Sequence, residues 1–433
     1  MTAPQVTGRR RLPLVLLGNA LMRIAGGAGG VLVGLYLADL ANRGFTVDAI
    51  LVGTLGAVSF IAELVGALPM GVMSDAVAPR ALMTGGALLG AVATQLFGLS
   101  GMVSIFFLSR ALEGLAAAAG APSILAHLTD ITEGNGKLRG KAMSFFELSL
   151  LAGLALGALV GGGLWKALGT KAFAAVAGAY LLCAALLAIG AVGSRKHGAE
   201  QALSGLGKAL REPSLRRLAP AWLCMNAIVG LWLGPTVIFL FTLKEPRGQF
   251  LTGIFADNPE RVGWVLLGYS MVFATGVTAW SFIMPRFSRR RVLQIALIAM
   301  LFVCAGLYAL NHSLAWPSST RRMVLALTAL CVMVESGFTP TALALLADVV
   351  GSQAGRGAAM GIYSVLLSVG ALIGSFIAGV LGQAFAVDGL IYGTLAMALL
   401  AMIAVESLKR LASERPAHPL IHQPLNQPSD IPK

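Results

Sequence analysis

A chain of 433 residues that is 57% hydrophobic and 12% charged, with a mean hydropathy of +0.81, is too apolar to be soluble, since soluble domains carry about a quarter charged residues. A net charge of +13 would fit a nucleic-acid partner in a soluble chain, but here the basic residues sit in short segments between apolar runs. That distribution excludes nucleic acid as the expected partner and predicts a polytopic membrane protein.

At the N-terminus Arg9, Arg10 and Arg11 precede an apolar stretch of more than 25 residues, longer than a signal-peptide core, which predicts an uncleaved first helix with a cytoplasmic start. Runs of about 20 residues, each enough to cross roughly 30 Å of hydrocarbon, then number twelve. They fall near 13–39, 49–73, 81–100, 102–128, 141–165, 170–193, 218–243, 260–284, 292–311, 323–349, 358–384 and 387–408. Twelve spans place both termini on one side. With that side inside, the inner segments hold 22 of the 32 Lys and Arg residues and the outer loops 8, the bias expected of cytoplasmic loops in a plasma (bacterial inner) membrane.

The charged segment 194–217 divides the chain into six-span bundles at 1–193 and 218–409. The tail at 410–433, with five prolines and few apolar residues, lacks the means to form a core and is expected to be disordered. Asp257-Asn-Pro-Glu260 reads as a helix start capped by Asn258. Cys183, Cys224, Cys304 and Cys331 lie inside apolar runs without paired spacing, so neither disulfides nor zinc is indicated.

Arg139-Gly-Lys-Ala-Met143 opens one apolar run, and 217 residues later Arg356-Gly-Ala-Ala-Met360 opens another. Gly153, Gly157 and Gly162 of the first run answer in register to Gly370, Gly374 and Gly379 of the second. Six spans per half is an even number, so the repeat is parallel, as in transporters whose site lies where two similar halves meet. The expected fold is therefore an all-α membrane protein of twelve transmembrane helices in two parallel six-helix repeats.

This organisation resembles the major facilitator superfamily, and local motifs agree. Gly71-Val-Met-Ser-Asp75 through Arg80 is similar to the loop signature between the family's second and third spans, with Ala76, Ala78 and Pro79 departing from it. The resemblance implies that this loop steadies the outward-facing state. Arg110-Ala-Leu-Glu-Gly114 is similar to the fourth-helix motif associated with proton coupling. Gly153, Gly157 and Gly161 resemble the glycine motif of proton-driven exporters, with Ala158 where that motif has proline. Small residues at four-residue spacing also let helix backbones approach closely, and the same packing role is expected of Gly370 and Gly374.

Charges inside a span cost about 2.5–3.5 kcal/mol each, so they normally face a cavity or a partner. The mid-span set is Arg23, Glu63, Arg110, Glu113 and Glu335, with Glu147 shallower. Arg110 and Glu113, three residues apart, share a helix face and form either a proton switch or a permanent ion pair. Glu335 suits a proton carrier or a binder of cationic solute, against the alternative of an inter-helix hydrogen bond. The resemblance implies that spans one, four, seven and ten line the central cavity, which makes Asn19, Arg23 and Asn226 candidate solute contacts; Glu63 on span two, facing either the cavity or the other half, and Tyr363 on span eleven are further candidates. Trp232 and Ser364 could supply further contacts, whereas Trp222, near a span end, reads better as an interfacial anchor. His127 and Asp130 lie on one turn at the end of span four, and capping explains them better than a metal.

No Gly-x4-Gly-Lys-Ser/Thr loop is present, so ATP is not the expected driver. No His-Glu-x2-His or Gly-x-Ser-x-Gly motif is present either, so an enzyme is not expected. The reading is a secondary active transporter of small solutes, working as a monomer without a cofactor, by proton-coupled efflux. Proton-symport uptake, or lipid handling on a transporter scaffold, is the alternative.

Overall fold

The computed structural model describes residues 3–76, 79–191, 213–245, 248–351 and 355–407. The segment 194–212 and the tail beyond 407 lie outside the described residues, and with them most of the expected linker and the expected disorder. The described residues form fourteen α-helices: α1 Ala3–Asn42, α2 Ala49–Ala76, α3 Pro79–Leu99, α4 Val103–Ile131, α5 Gly136–Leu168, α6 Ala172–Gly190, α7 Pro213–Leu233, α8 Pro235–Thr242, α9 Arg261–Ile283, α10 Arg289–Asn311, α11 Ser318–Glu335, α12 Phe338–Gly351, α13 Gly355–Phe385 and α14 Val387–Ser407. Eleven helical stretches are long and apolar enough to cross a membrane, and one of them, Lys137–Gly190, contains both α5 and α6. The crossings therefore number twelve among the described residues.

The two halves pack alike. In the first, α1 rests on α5 and α6, α2 on α4, and α3 on α4 and α6. In the second, α7 rests on α13 and α14, α9 on α11, and α10 on α11 and α14. Each pairing repeats with its counterpart, which is the internal symmetry that the Gly register announces. The glycines are where the helices meet: a Cβ at Gly157 would lie 2.8 Å from the Ile24 carbonyl oxygen, and one at Gly161 2.8 Å from that of Ala28. Gly370 and Gly374 make the same approach to α7 at Asn226 and Ala227. With little hydrophobic drive between helices in lipid, such close backbone packing supplies the dispersion contact that holds them.

Two spans expected to be continuous are broken. The seventh stops at Leu233 and resumes as α8 with Gly234 as N-cap and Pro235 at its first position. The tenth stops at Glu335 and resumes at Phe338. Pro340 explains that break: it lacks the N–H that would bond the carbonyl of Ser336, and its ring clashes with that carbonyl in a continuous helix. The start of α9 also differs from expectation. Arg261, Val262 and Gly263 bond back three residues to Asn258, Pro259 and Glu260, so the α-helix begins after this turn and Asn258 provides no side-chain cap.

Hydrogen bonds between the halves gather at the end of the bundle away from the chain termini, the distal face. Asn42 Nδ2 donates to the Thr242 carbonyl at 3.1 Å and its Oδ1 accepts from the Lys244 N–H at 2.9 Å. The Ala49 N–H donates to Gln383 Oε1 at 3.0 Å, and Lys166 pairs with Glu260 at 2.8 Å. Backbones touch on the same face: a Cβ at Gly53 would lie 2.5 Å from the Gly379 Cα, and one at Gly162 2.7 Å from the Glu260 carbonyl oxygen. The distal face is closed.

Candidate functional site

Polar groups from four helices converge within the first half. Arg110 on α4 donates through Nε to the Leu55 carbonyl at 3.3 Å and through Nη2 to Ser59 Oγ at 2.8 Å, both on α2. Its Nη1 pairs with Glu113 one turn along α4. Gly114 makes this docking possible, because a Cβ there would strike the Ser59 carbonyl and lie 2.9 Å from the Glu63 nitrogen. The arginine is nearly buried, at 7% side-chain exposure, whereas Glu113 keeps 27%.

Across from this pair, Arg23 on α1 lies 5.6 Å from the Phe146 ring centroid and within electrostatic reach of Glu63 on α2. Tyr180 on α6 completes the cluster, within electrostatic reach of Glu113, Arg23 and Arg110. Four expected residues, Arg23, Glu63, Arg110 and Glu113, are thus brought together. Asn19 is not part of the group: fully buried, it donates to Ser149 Oγ on α5, while its Oδ1 has no partner among the described residues.

In the second half Glu335 is the last residue of α11 and 7% exposed. Among the described residues it makes no ion pair or side-chain hydrogen bond, and its electrostatic neighbour is Tyr269 on α9. The break beside it is braced by α9. Trp280 Nε1 donates to the Val334 carbonyl at 2.9 Å, and a Cβ at Gly337 would lie 2.6 Å from the Trp280 ring. Asn226 packs against Gly370 and donates to the Trp222 carbonyl of its own helix at 3.0 Å. Trp232 Nε1 donates to Thr394 Oγ1 at 2.7 Å, tying α7 to α14.

Gly71 and Asp75 fall near the end of α2 and Arg80, exposed, at the start of α3; the side chains of residues 71–76 lie outside the described ones, as do those of Glu147, Tyr363 and Ser364. His127 is buried on α4, with no partner for Nε2 among the described residues.

Three functional candidates escape a sequence reading: Tyr180, Ser59 and Trp280. A mid-span phenol in an otherwise apolar helix was a usable signal for Tyr180; Ser59 and Trp280 carry none until the helices are packed.

The family model described as the Major Facilitator Superfamily matches residues 15–255 and 248–427. Among curated proteins, the "Inner membrane transport protein YajR" of Escherichia coli (strain K12) is 24% identical over 358 residues, 82% of this chain and 73% of YajR. Among solved structures, a bacterial homolog of the human lysosomal transporter Spinster, inward-facing and occupied, matches with a TM-score of 0.72 at 14% identity, over 95% of this chain and 98% of that one. The nucleoside transporter NupG matches with a TM-score of 0.71 at 11% identity, over 94% and 100%. At these identities the structural likeness is one of fold.

Proposed function

The chain belongs to the Major Facilitator Superfamily and is a multi-pass membrane transporter, and from that premise we propose that it exports a small organic solute by alternating access, driven by protons bound at Glu113 and Glu335. The observation that carries this reading is the asymmetry of the Arg110–Glu113 pair. Arg110 is held by Leu55 and Ser59 whether or not Glu113 is present, so departure of the carboxylate does not strand a buried guanidinium. Glu113 is the more exposed partner and is free to exchange Arg110 for a proton. A permanent ion pair needs neither feature.

Glu335 supports the same reading from the other half. An ionised carboxylate at the C-terminal end of α11 faces the negative end of the helix dipole, an unfavourable placement. A proton or a cationic solute relieves it. A broken helix at mid-span is also where transporters of this kind put their ion and solute groups. In this scheme the termini are cytoplasmic, the closed distal face is the outer one, and the state described is inward-facing. The proton gradient is the energy source, no cofactor is required, and one chain suffices because it holds both halves.

The test is proton movement in proteoliposomes holding the full chain, on adding members of a chemically diverse compound panel, with Glu335→Gln beside it. Compound-dependent proton flux opposite to solute movement, lost in Glu335→Gln, is the expected result. Flux in the same direction as the solute would replace export with symport. No proton flux with any compound, in folded protein, would remove proton coupling.

A further inference from the structure

Tyr180 stands apart from the rest of α6. That helix is otherwise apolar and packs against α1 and α3 as scaffold. Yet the Tyr180 side chain reaches inward between them. A Cβ at Gly90 on α3 would lie 2.7 Å from its ring, and one at Gly26 on α1 would lie 3.2 Å from its hydroxyl oxygen. Gly26 is three residues beyond Arg23 and so on the same face of α1. The phenol therefore needs two glycines to pass, and the passage delivers its hydroxyl to the side of α1 that carries Arg23. The residue is 7% exposed. Among the described residues the hydroxyl makes no hydrogen bond and is not among the fully buried unpartnered atoms, so it is open to a partner.

We propose that Tyr180 is a positioning residue for the proton site, its hydroxyl receiving the Glu113 carboxyl when that group is protonated and released from Arg110. The inference rests on the proton-coupled reading above and deepens it. In the state described, Glu113 is held by Arg110. Once protonated it gains an O–H and loses its charge, so the guanidinium no longer attracts it strongly. The new O–H then seeks an acceptor within the cluster, and the phenol oxygen supplies one. No covalent bond is made or broken; the proton stays on Glu113 and only its hydrogen-bond partner changes. The groups facing this exchange are Arg110 on α4, Arg23 on α1, Glu63 on α2 through its attraction to Arg23, and Cys183 one turn along α6.

Tyr180→Phe keeps the ring between Gly90 and Gly26 and removes only the hydroxyl. The experiment is a pH titration of the full chain in nanodiscs by infrared difference spectroscopy, following the protonated-carboxyl band that Glu113→Gln deletes. No solute is needed. Losing a partner of the protonated form lowers proton affinity, so the band in Tyr180→Phe should titrate about fivefold in proton concentration towards acid. A melting temperature taken on the same samples checks folding. An unchanged midpoint in folded Tyr180→Phe, with the band present, would overturn the role of Tyr180 and leave the proton site standing. A wild-type spectrum in which Glu113→Gln deletes no titrating band would overturn the proton reading itself. Should Tyr180→Phe fail to fold, an unshifted midpoint in Gly26→Ala, which presses on the hydroxyl without removing the ring, would overturn the proposal.

Discussion

The indole of Trp280 on α9 donates to the carbonyl oxygen of Val334 at 2.9 Å, beside the point where the tenth span ceases to be helical. In a continuous helix that carbonyl would accept from the N–H of Phe338; at the break its backbone donor is instead the Gly337 N–H, at a long 3.4 Å. The neighbouring span thus supplies what the broken one has lost, and lipid cannot do so.

Trp280→Phe should keep the ring against Gly337 while leaving the Val334 carbonyl only the long bond from the Gly337 N–H. The expected loss is about 1–3 kcal/mol of stability, read as a lower melting temperature in detergent. A melting curve unmoved by the substitution would show that the break is held by backbone geometry alone.

Closure of the distal face rests on backbone contact more than on charge. Lys166 is 68% exposed, and exposed ion pairs contribute little. Glu260→Gln should therefore leave the distance between spin labels at the distal ends of α2 and α13 nearly unchanged. Gly53→Ala, which places a Cβ 2.5 Å from the Gly379 Cα, should shift that distribution clearly towards separation. The reverse ranking would assign closure to the ion pair.

The same pair fixes a pH window. A hydrogen bond from Lys166 is the first cause holding the Glu260 carboxyl below its ordinary 4.5. A carboxylate held low makes its contribution, small for so exposed a pair, above its ordinary value and loses it as pH falls through the lowered one. The wild-type label distances should accordingly be insensitive to Glu260 from about pH 8 to about pH 5. A Glu260-dependent change inside that range would mean its carboxyl is not held low.

At the distal end of the second half, buried Asp388 accepts from Asn311 Nδ2 at 2.8 Å and Gln249 Nε2 at 3.1 Å, with His312 Nε2 3.0 Å away. These bonds anchor the loop before α9 to the ends of α10 and α14. Asp388→Ala should cost about 2–4 kcal/mol, measured as a fall in melting temperature, with the loop becoming cleavable by protease. Resistance equal to wild type would show that the loop is held elsewhere.

The twelve spans, the parallel repeat and the charged mid-span residues were legible in sequence because each follows from a local cost. A run of apolar side chains partitions into hydrocarbon residue by residue, and a charge within it stands out against that background. The glycine register was legible for a related reason, since only small residues permit the approach of α5 to α1 and of α13 to α7. Tertiary structure alone decided which charges meet, because that depends on how each helix is rotated against its neighbours. Arg110 is shared among Leu55, Ser59 and Glu113 only after Gly114 lets α4 rest on α2. Asn19 was withdrawn to the α1–α5 contact, and Tyr180 was admitted past Gly26 and Gly90. The break at Glu335 lies between the two cases: the sequence holds Pro340 inside a span expected to be continuous, but the Trp280 indole that braces the break comes from 54 residues away.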